Sequence, residues 1–447
     1  MDNNIIMSLG FTVFGAVLGF ALSLLVTSSS QTKRAINEKK LYLSYKLSLL
    51  AARMGLKKTI SPLSFREWLT TLGVRDIFCE SAFLFLDQPL GPDRITSVYE
   101  QSDKPDSEEY ESGYDDKMID TFANMIICEK KKQALVSGET FDNNASYALK
   151  RIDVSRPESA EGTRENIYTL ITSPTDFAHF VFPNLVLEET VKLPNNHEYR
   201  TIRNLLGIEN DRVNFDELES LGRRHVSCKI GTCCALITAD GYLVLSIRSK
   251  RQLIAGRDKT TPADEVLVHM SAAEGMFRSR RRPCGSPSDV INGCPHPFAT
   301  IQRSLLKEIN VDVPVGSLQC LGLFLDRQRI QPFFVFFHKL EKMNITDIFT
   351  NYNAAQDSHE NEGLIGLKWT AANAMRLFSD PLYDDAEVRA PDFWKLEYEK
   401  KYGQKHLKLA SNHAQTGLAA ALRHDFGYKS CQDQSIMLLA SRKADAS

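Results

Sequence analysis

The chain has 447 residues, with 54 basic and 56 acidic side chains and a formal net charge of −2. That length predicts more than one structural unit, and 43% hydrophobic with 25% charged residues excludes a wholly disordered or collagen-like chain. Near-neutral charge leaves no global positive field, so no DNA or RNA binding is expected and any polyanion site must be local. A mean hydropathy of −0.26 excludes a multispanning transporter. Nine cysteines without a repeated spacing point to a reducing compartment, not to a disulfide framework.

Residues 5–26 (IIMSLGFTVFGAVLGFALSLLV) carry no charge. As a helix they reach about 33 Å, enough to cross the hydrocarbon core. The front, MDNN, lacks the basic residues of a signal peptide, so a retained transmembrane anchor is expected over 1–30. Asp2 precedes the span, and Lys33, Arg34, Lys39 and Lys40 follow it. Positive residues stay inside, which predicts a single-pass membrane protein with its N-terminus outside and its body cytosolic. Gly15 and Gly19 form a GxxxG pair that would let two spans approach closely, favouring a homo-oligomer in the lipid bilayer.

Next, 31–145 reads as a juxtamembrane helical spacer with an acidic loop. Residues 38–56 have helical apolar spacing among lysines, and Ser64 with Glu67 makes a capping box for a helix that ends at Gly73. The run 103–116 holds seven acids against one lysine and reads as a solvated loop. A helix is expected around 118–132. Region 146–225 contains strand-like runs at 146–154 and 167–171, and a further run spans 226–236. Asp240-Gly241 marks a tight hairpin turn. After an arginine-rich stretch comes a helix carrying Arg303 to Glu308, and 318–325 and 330–339 read as strands, the second nearly continuous in apolar residues and so central. A short strand is expected to end at Trp369, with Thr370 as N-cap of the helix after it. Helices are expected at 391–406 and 412–424, within a C-terminal region 386–447.

The chemistry concentrates in 226–385. Two strands joined by a tight turn are followed by Glu274-Gly275, an insertion at 277–297, and then Arg303-Ser304-Leu305-Leu306-Lys307-Glu308-Ile309-Asn310-Val311. This order resembles the Nudix superfamily, whose box reads G-x5-E-x7-R-E-U-x-E-E-x-G-U (U being a bulky aliphatic residue). The resemblance covers about 228–369 and is partial. Arg303, Leu305, Glu308 and Val311 match, Asn310 stands where glycine leaves the helix, and Glu274 is the counterpart of the loop glutamate. It implies an α+β chain whose main domain is an α/β/α sandwich with a mixed sheet, behind the anchor and spacer.

The departures carry the functional reading. Where the family places Mg2+-holding glutamates at i, i+3 and i+4, this chain has Ser304, Lys307 and Glu308. An ammonium group has three donors and no acceptor, so it does not ligate Mg2+. The pattern fits a binder better than an enzyme, with no cofactor. Arg248, Lys250 and Arg251, and Arg278, Arg280, Arg281 and Arg282, add guanidinium and ammonium groups suited to phosphate. Cys284, Cys294 and His296 lack a standard zinc spacing.

An anchor joined to an altered Nudix box is similar to the Nudix-type effectors of bacterial cyclic-oligonucleotide anti-phage signalling (CBASS). The resemblance implies a cyclic nucleotide ligand, bound through Arg248, Arg303, Lys307, Glu308 and Glu274 without hydrolysis. It also implies placement in the cell inner membrane, where binding would trigger oligomerisation through Gly15 and Gly19 and membrane disruption in antiviral defence. The alternative is a divergent anchored Nudix hydrolase acting on a nucleoside diphosphate derivative, with Glu274, Glu308 and Glu360 or Glu362 rebuilding a Mg2+ site. A scaffold that neither binds nor cuts a nucleotide is a third reading.

Overall fold

The computed structural model describes residues 64–100, 117–137, 141, 143–157, 165–193, 199–224, 226–248, 265–278, 289–358, 361–378, 388–390 and 406–444. The chain divides into two units, Met1–Gly73 and Val74–Ser447. Of the first, 64–73 are described and hold helix α1 (Phe65–Thr71), which starts at the expected capping box between Ser64 and Glu67. Gly73 follows it at φ 86°, where a side chain would be strained.

The expected membrane span at 5–26, with Gly15, Gly19 and the flanking lysines, lies outside the described residues. Among those that are described, no helix is long and apolar enough to cross a membrane. One helix has the length, α2 (Lys117–Ser137) with 21 residues, whereas the C-terminal run of 33 is broken by Gly427 at φ 74° and ψ 162°. Charge disqualifies α2, which carries Glu129 and three consecutive lysines, and the part of the broken run before Gly427 carries Arg423, His424 and Asp425. The transmembrane part of the expected fold and the single-pass inner-membrane placement are therefore withdrawn. What stands is an α+β fold with mixed sheets.

In the second unit, strand β1 (Ile77–Phe78) is followed by β2 (Ile95–Tyr99), α2, β3 (Ala145–Ser155) and β4 (Ile167–Asp176). Strands β2, β4 and β3 form a small sheet in that order, β2 parallel and β3 antiparallel to β4. The large sheet is built from β5 (Gly231–Ile237), β6 (Tyr242–Arg248), β7 (Glu265–His269), β8 (Ala272–Gly275), β9 (Gln319–Asp326), β10 (Gln331–Lys339), β11 (Asn361–Lys368), β12 (Val388–Arg389) and β13 (His406–Leu409). Its order is β1-β9-β10-β5-β6-β11-β12, with β8 beside β5 and β7 between β6 and β13. Two pairs are parallel, β10 with β5 and β13 with β7, so the sheet is mixed. The run 330–339 is central as its continuous apolar character predicts, flanked by β9 and β5. His406 opens a strand instead of closing a helix, because its backbone pairs with Glu265.

Helices α3 (Pro297–Ile309), α4 (Ile345–Tyr352), α5 (Ala371–Arg376) and α6 (Asn412–Ala444) complete the unit. Alternation along β10 separates the two long packing helices. Phe336 meets Phe298 of α3 edge to face at 4.9 Å, whereas Phe333 stacks on His413 of α6 at 4.0 Å. Cys233 and Cys234 alternate likewise, the Cys233 thiol lying 3.8 Å from the His413 carbonyl and Cys234 joining the core that holds Phe298 and Leu305. Burial raises the pKa of both thiols, which fits packing. That core also contains Tyr147, Leu149, Tyr168 and Leu170 of the small sheet, so the strands of 146–225 and 226–385 share one interior.

Candidate functional site

Helix α3 begins at His296, whose Nδ1 accepts the Phe298 N–H at 3.3 Å and whose Nε2 lies 2.9 Å from the Ile95 carbonyl. Those two bonds fix the ring as a capping group and leave no lone pair for zinc. Burial lowers its pKa against the pull of those carbonyls, so the ring is neutral at the helix start. Pro297 occupies the first turn, where its missing N–H costs nothing. The helix ends at Asn310 in the left-handed conformation, φ 54°, as its place in the box predicts.

Arg303 is 5% exposed. It makes a fork with Asp289 (Nη2 to Oδ2 at 3.0 Å, and Nε to Oδ1) and bonds Glu274 Oε2 through Nη1 at 2.5 Å. Its Nη2 also donates to the Gly275 carbonyl at 3.3 Å, and its plane lies 5.0 Å from the centre of the Phe277 ring. Burial opposes the charge, but Glu274 and Asp289 outweigh it and hold the guanidinium above its ordinary pKa. A phosphate would have to displace two carboxylates to reach it. Arg303 and Glu308 do not pair, since five residues along a helix turn them about 140° apart.

Glu308 is buried as well. Its Oε1 accepts the Ala273 N–H at 3.2 Å and the Ser304 hydroxyl. Burial and this carboxylate together push the Tyr352 phenol up to about 12. Glu274 sits on strand β8 opposite Thr232, not on a loop as expected. A Cβ at Gly275 would come within 2.6 Å of Lys229 Cε, so that lysine would have to shift. The Lys229 amine in turn lies over Phe277 at 4.9 Å, so that ring is flanked by two cations. Lys307 points elsewhere, its amine 3.6 Å from Asp357 Oδ2 and its carbonyl bonded by the Asp357 N–H at 3.0 Å.

This donor set does not fit Mg2+. Glu274 is bound to Arg303, Ser304 and Glu308 are bound to each other, and Lys307 brings a positive charge. Glu360 lies outside the described residues. Glu362 stands on β11, opposite none of these groups in the strand register. Among the described residues no three His, Cys, Asp or Glu side chains are grouped to hold a metal ion.

Arg248, the remaining expected contact, ends β6 with its Nη1 3.5 Å from Asn361 Oδ1 on the neighbouring strand. Lys250, Arg251 and Arg280 to Arg282 lie outside the described residues. The sequence reading missed Asp289, although a signal was present. Val290-Ile291-Asn292-Gly293-Cys294-Pro295 contains the Asn-Gly pair of a tight hairpin, and both central residues have positive φ, 53° and 81°. That hairpin brings Asp289 back to Arg303 and to the Phe277 N–H. No protein-family model and no curated protein matches this chain.

Proposed function

We propose that residues 228–369 form a Nudix-like binding module that recognises a phosphate-bearing nucleotide, in the manner of a receptor for a cyclic nucleotide second messenger, and does not cut it. The carrying observation is the content of α3: Ser304 and Lys307 stand where the family's helix offers carboxylates, and Glu308 is turned into Ser304 and the β8 backbone. The strand order also supports the reading, with a hairpin, a crossing strand that carries Glu274, and then α3 against that strand. Arg303 belongs to the scaffold of this module, while Arg248 supplies a cation toward a ligand. In a defence system such a module is the sensor, and ligand binding acts only through a difference in affinity between two states of the protein.

Titration calorimetry of the full chain with cyclic di- and trinucleotides, beside a hydrolysis assay on nucleoside diphosphate derivatives with Mg2+, tests this. Saturable heat with a cyclic nucleotide and no Mg2+-dependent product is the expected result. Turnover sensitive to Mg2+, or no heat with any nucleotide, overturns it.

A further inference from the structure

The start of α6 meets the ends of β7 and β9, at His269 and Asp326, in a cluster that α3 does not use. Ser411 caps α6: its Oγ accepts the Ala414 N–H at 3.2 Å and lies 3.0 Å from His269 Nε2. Among the described residues the hydroxyl proton has no acceptor other than Nε2, so it is assigned there, and the ring's own proton sits on Nδ1. His269 is 6% exposed, and its Nδ1 has no hydrogen-bond partner among the described residues. The result is a buried N–H donor beside the N-terminal end of α6, an arrangement that is costly unless an acceptor arrives.

Charge around the ring favours an anionic acceptor. Arg248 and Arg329 both act on His269 electrostatically, and with burial they hold it neutral, well below the ordinary value of 6.5. The nearby carboxylate, Asp326, is engaged by His413, whose Nε2 is 3.4 Å away, and also feels the Arg329 charge, so Arg329 would be shared between Asp326 and an incoming anion. The N–H groups of Asn412 and His413 open the helix, where no intrahelical acceptor exists for them.

Strand register adds a second recognition point. Ser246 pairs with His269 and Arg248 with Asn361, and residues two apart on β6 share a face. Asn361 is buried, its Oδ1 facing Arg248 and its Nδ2 without a hydrogen-bond partner among the described residues. Strands β7 and β11 flank β6, so their backbones are about 9.5 Å apart. One phosphate does not bridge that interval, whereas a nucleotide places a phosphate at one end and base or sugar acceptors at the other.

We propose that this end of the sheet is the nucleotide site: the phosphate sits on His269 Nδ1–H, Arg248, Arg329 and the first turn of α6, and Asn361 Nδ2 donates to the base or sugar. The assignment rests on the binding-module reading and locates its ligand away from the box residues Arg303 and Lys307.

The test uses the full chain with inorganic phosphate, adenosine monophosphate and cyclic di-AMP or di-GMP as probes. Affinity is read by calorimetry and site by the 15N signals of the His269 ring, with thermal unfolding of each variant as the folding control. Arg248→Met and Arg329→Met are expected to weaken nucleotide binding at least tenfold, Asn361→Leu to weaken nucleotides but not inorganic phosphate, and Lys307→Met to change affinity less than twofold. If a nucleotide binds and both arginine variants keep wild-type affinity, or the His269 signals stay fixed, the sheet-end site is wrong while the binding reading stands. Inorganic phosphate shifting His269 with no nucleotide binding is a site for an adventitious ion only; it removes the nucleotide assignment and the functional reading together. Silence from every probe also removes both.

Discussion

Two buried polar clusters occupy this fold, and they differ in what each leaves unmade. Around Arg303, one cation meets two carboxylates, a backbone carbonyl and an aromatic ring, and beside it Glu308 Oε1 accepts from the Ser304 hydroxyl and the Ala273 N–H. Around His269, a cap hydroxyl fixes one ring nitrogen while the other faces no partner among the described residues. The contrast teaches that motif position does not make a site. On the helix that resembles a catalytic element the Arg303 charge is closed by Asp289 and Glu274, and the open donor at His269 lies where no motif pointed. Closed networks stabilise a fold, and unmet buried donors mark the places where a ligand still has something to supply.

The largest test of this contrast is Arg303→Met. It strands Asp289 and Glu274 in the interior without their cation, and loss of about 3–5 kcal/mol of stability is expected by chemical denaturation. Adding Asp289→Asn and Glu274→Gln removes both negative charges and should recover a good part of that loss. A single variant that is as stable as the parent would show that the cluster is not a structural network.

Acid should discriminate between the clusters next. Burial, followed for His269 by Arg248 and outweighing Asp326 for His413, lowers both imidazole pKa values below the ordinary 6.5. The unfolded chain therefore binds protons that the folded chain refuses. Stability begins to fall as pH drops through about 6.5, by up to roughly 1.4 kcal/mol per pH unit for each ring, and levels off only below the folded values. Asp326 adds its own loss at lower pH, because its partners overcome burial and hold its carboxyl below the ordinary 3.8. His413→Gln should remove one ring's share of the slope between pH 6 and 5. Equal slopes would mean that His413 is not held neutral.

Smaller effects refine the picture. Ser411→Ala removes the cap of α6, at about 1 kcal/mol, and frees His269 Nε2, so the ring's 15N pattern should change tautomer. An unchanged pattern would contradict the proton assignment. Lys307→Met removes a partly exposed pair with Asp357 and should cost less than about 1 kcal/mol. A larger cost would place Lys307 in the core network.

Much of the local structure was legible in the chain. The Ser64/Glu67 box, the Asp240-Gly241 turn, the Asn310 exit and the Thr370 cap all depend on a few adjacent residues whose side chains compete for the backbone, so sequence alone fixes them. The apolar run 330–339 announced a central strand for the same reason: only burial on both faces tolerates it. The candidate site was legible only in its composition. That Ser304 and Lys307 replace carboxylates could be read directly, but the partner of Arg303 could not, because Asp289 reaches it only after an Asn-Gly hairpin folds back.

Tertiary structure alone decided the rest. His269 and Ser411 are 142 positions apart and meet because β13 pairs in parallel with β7 and then delivers the chain to the start of α6. Chain order determined which helices and turns form, since those bonds close within a few residues. Which polar atoms are satisfied was set by strands pairing across the whole unit, because burial and partnership are properties of the packed interior and not of any segment.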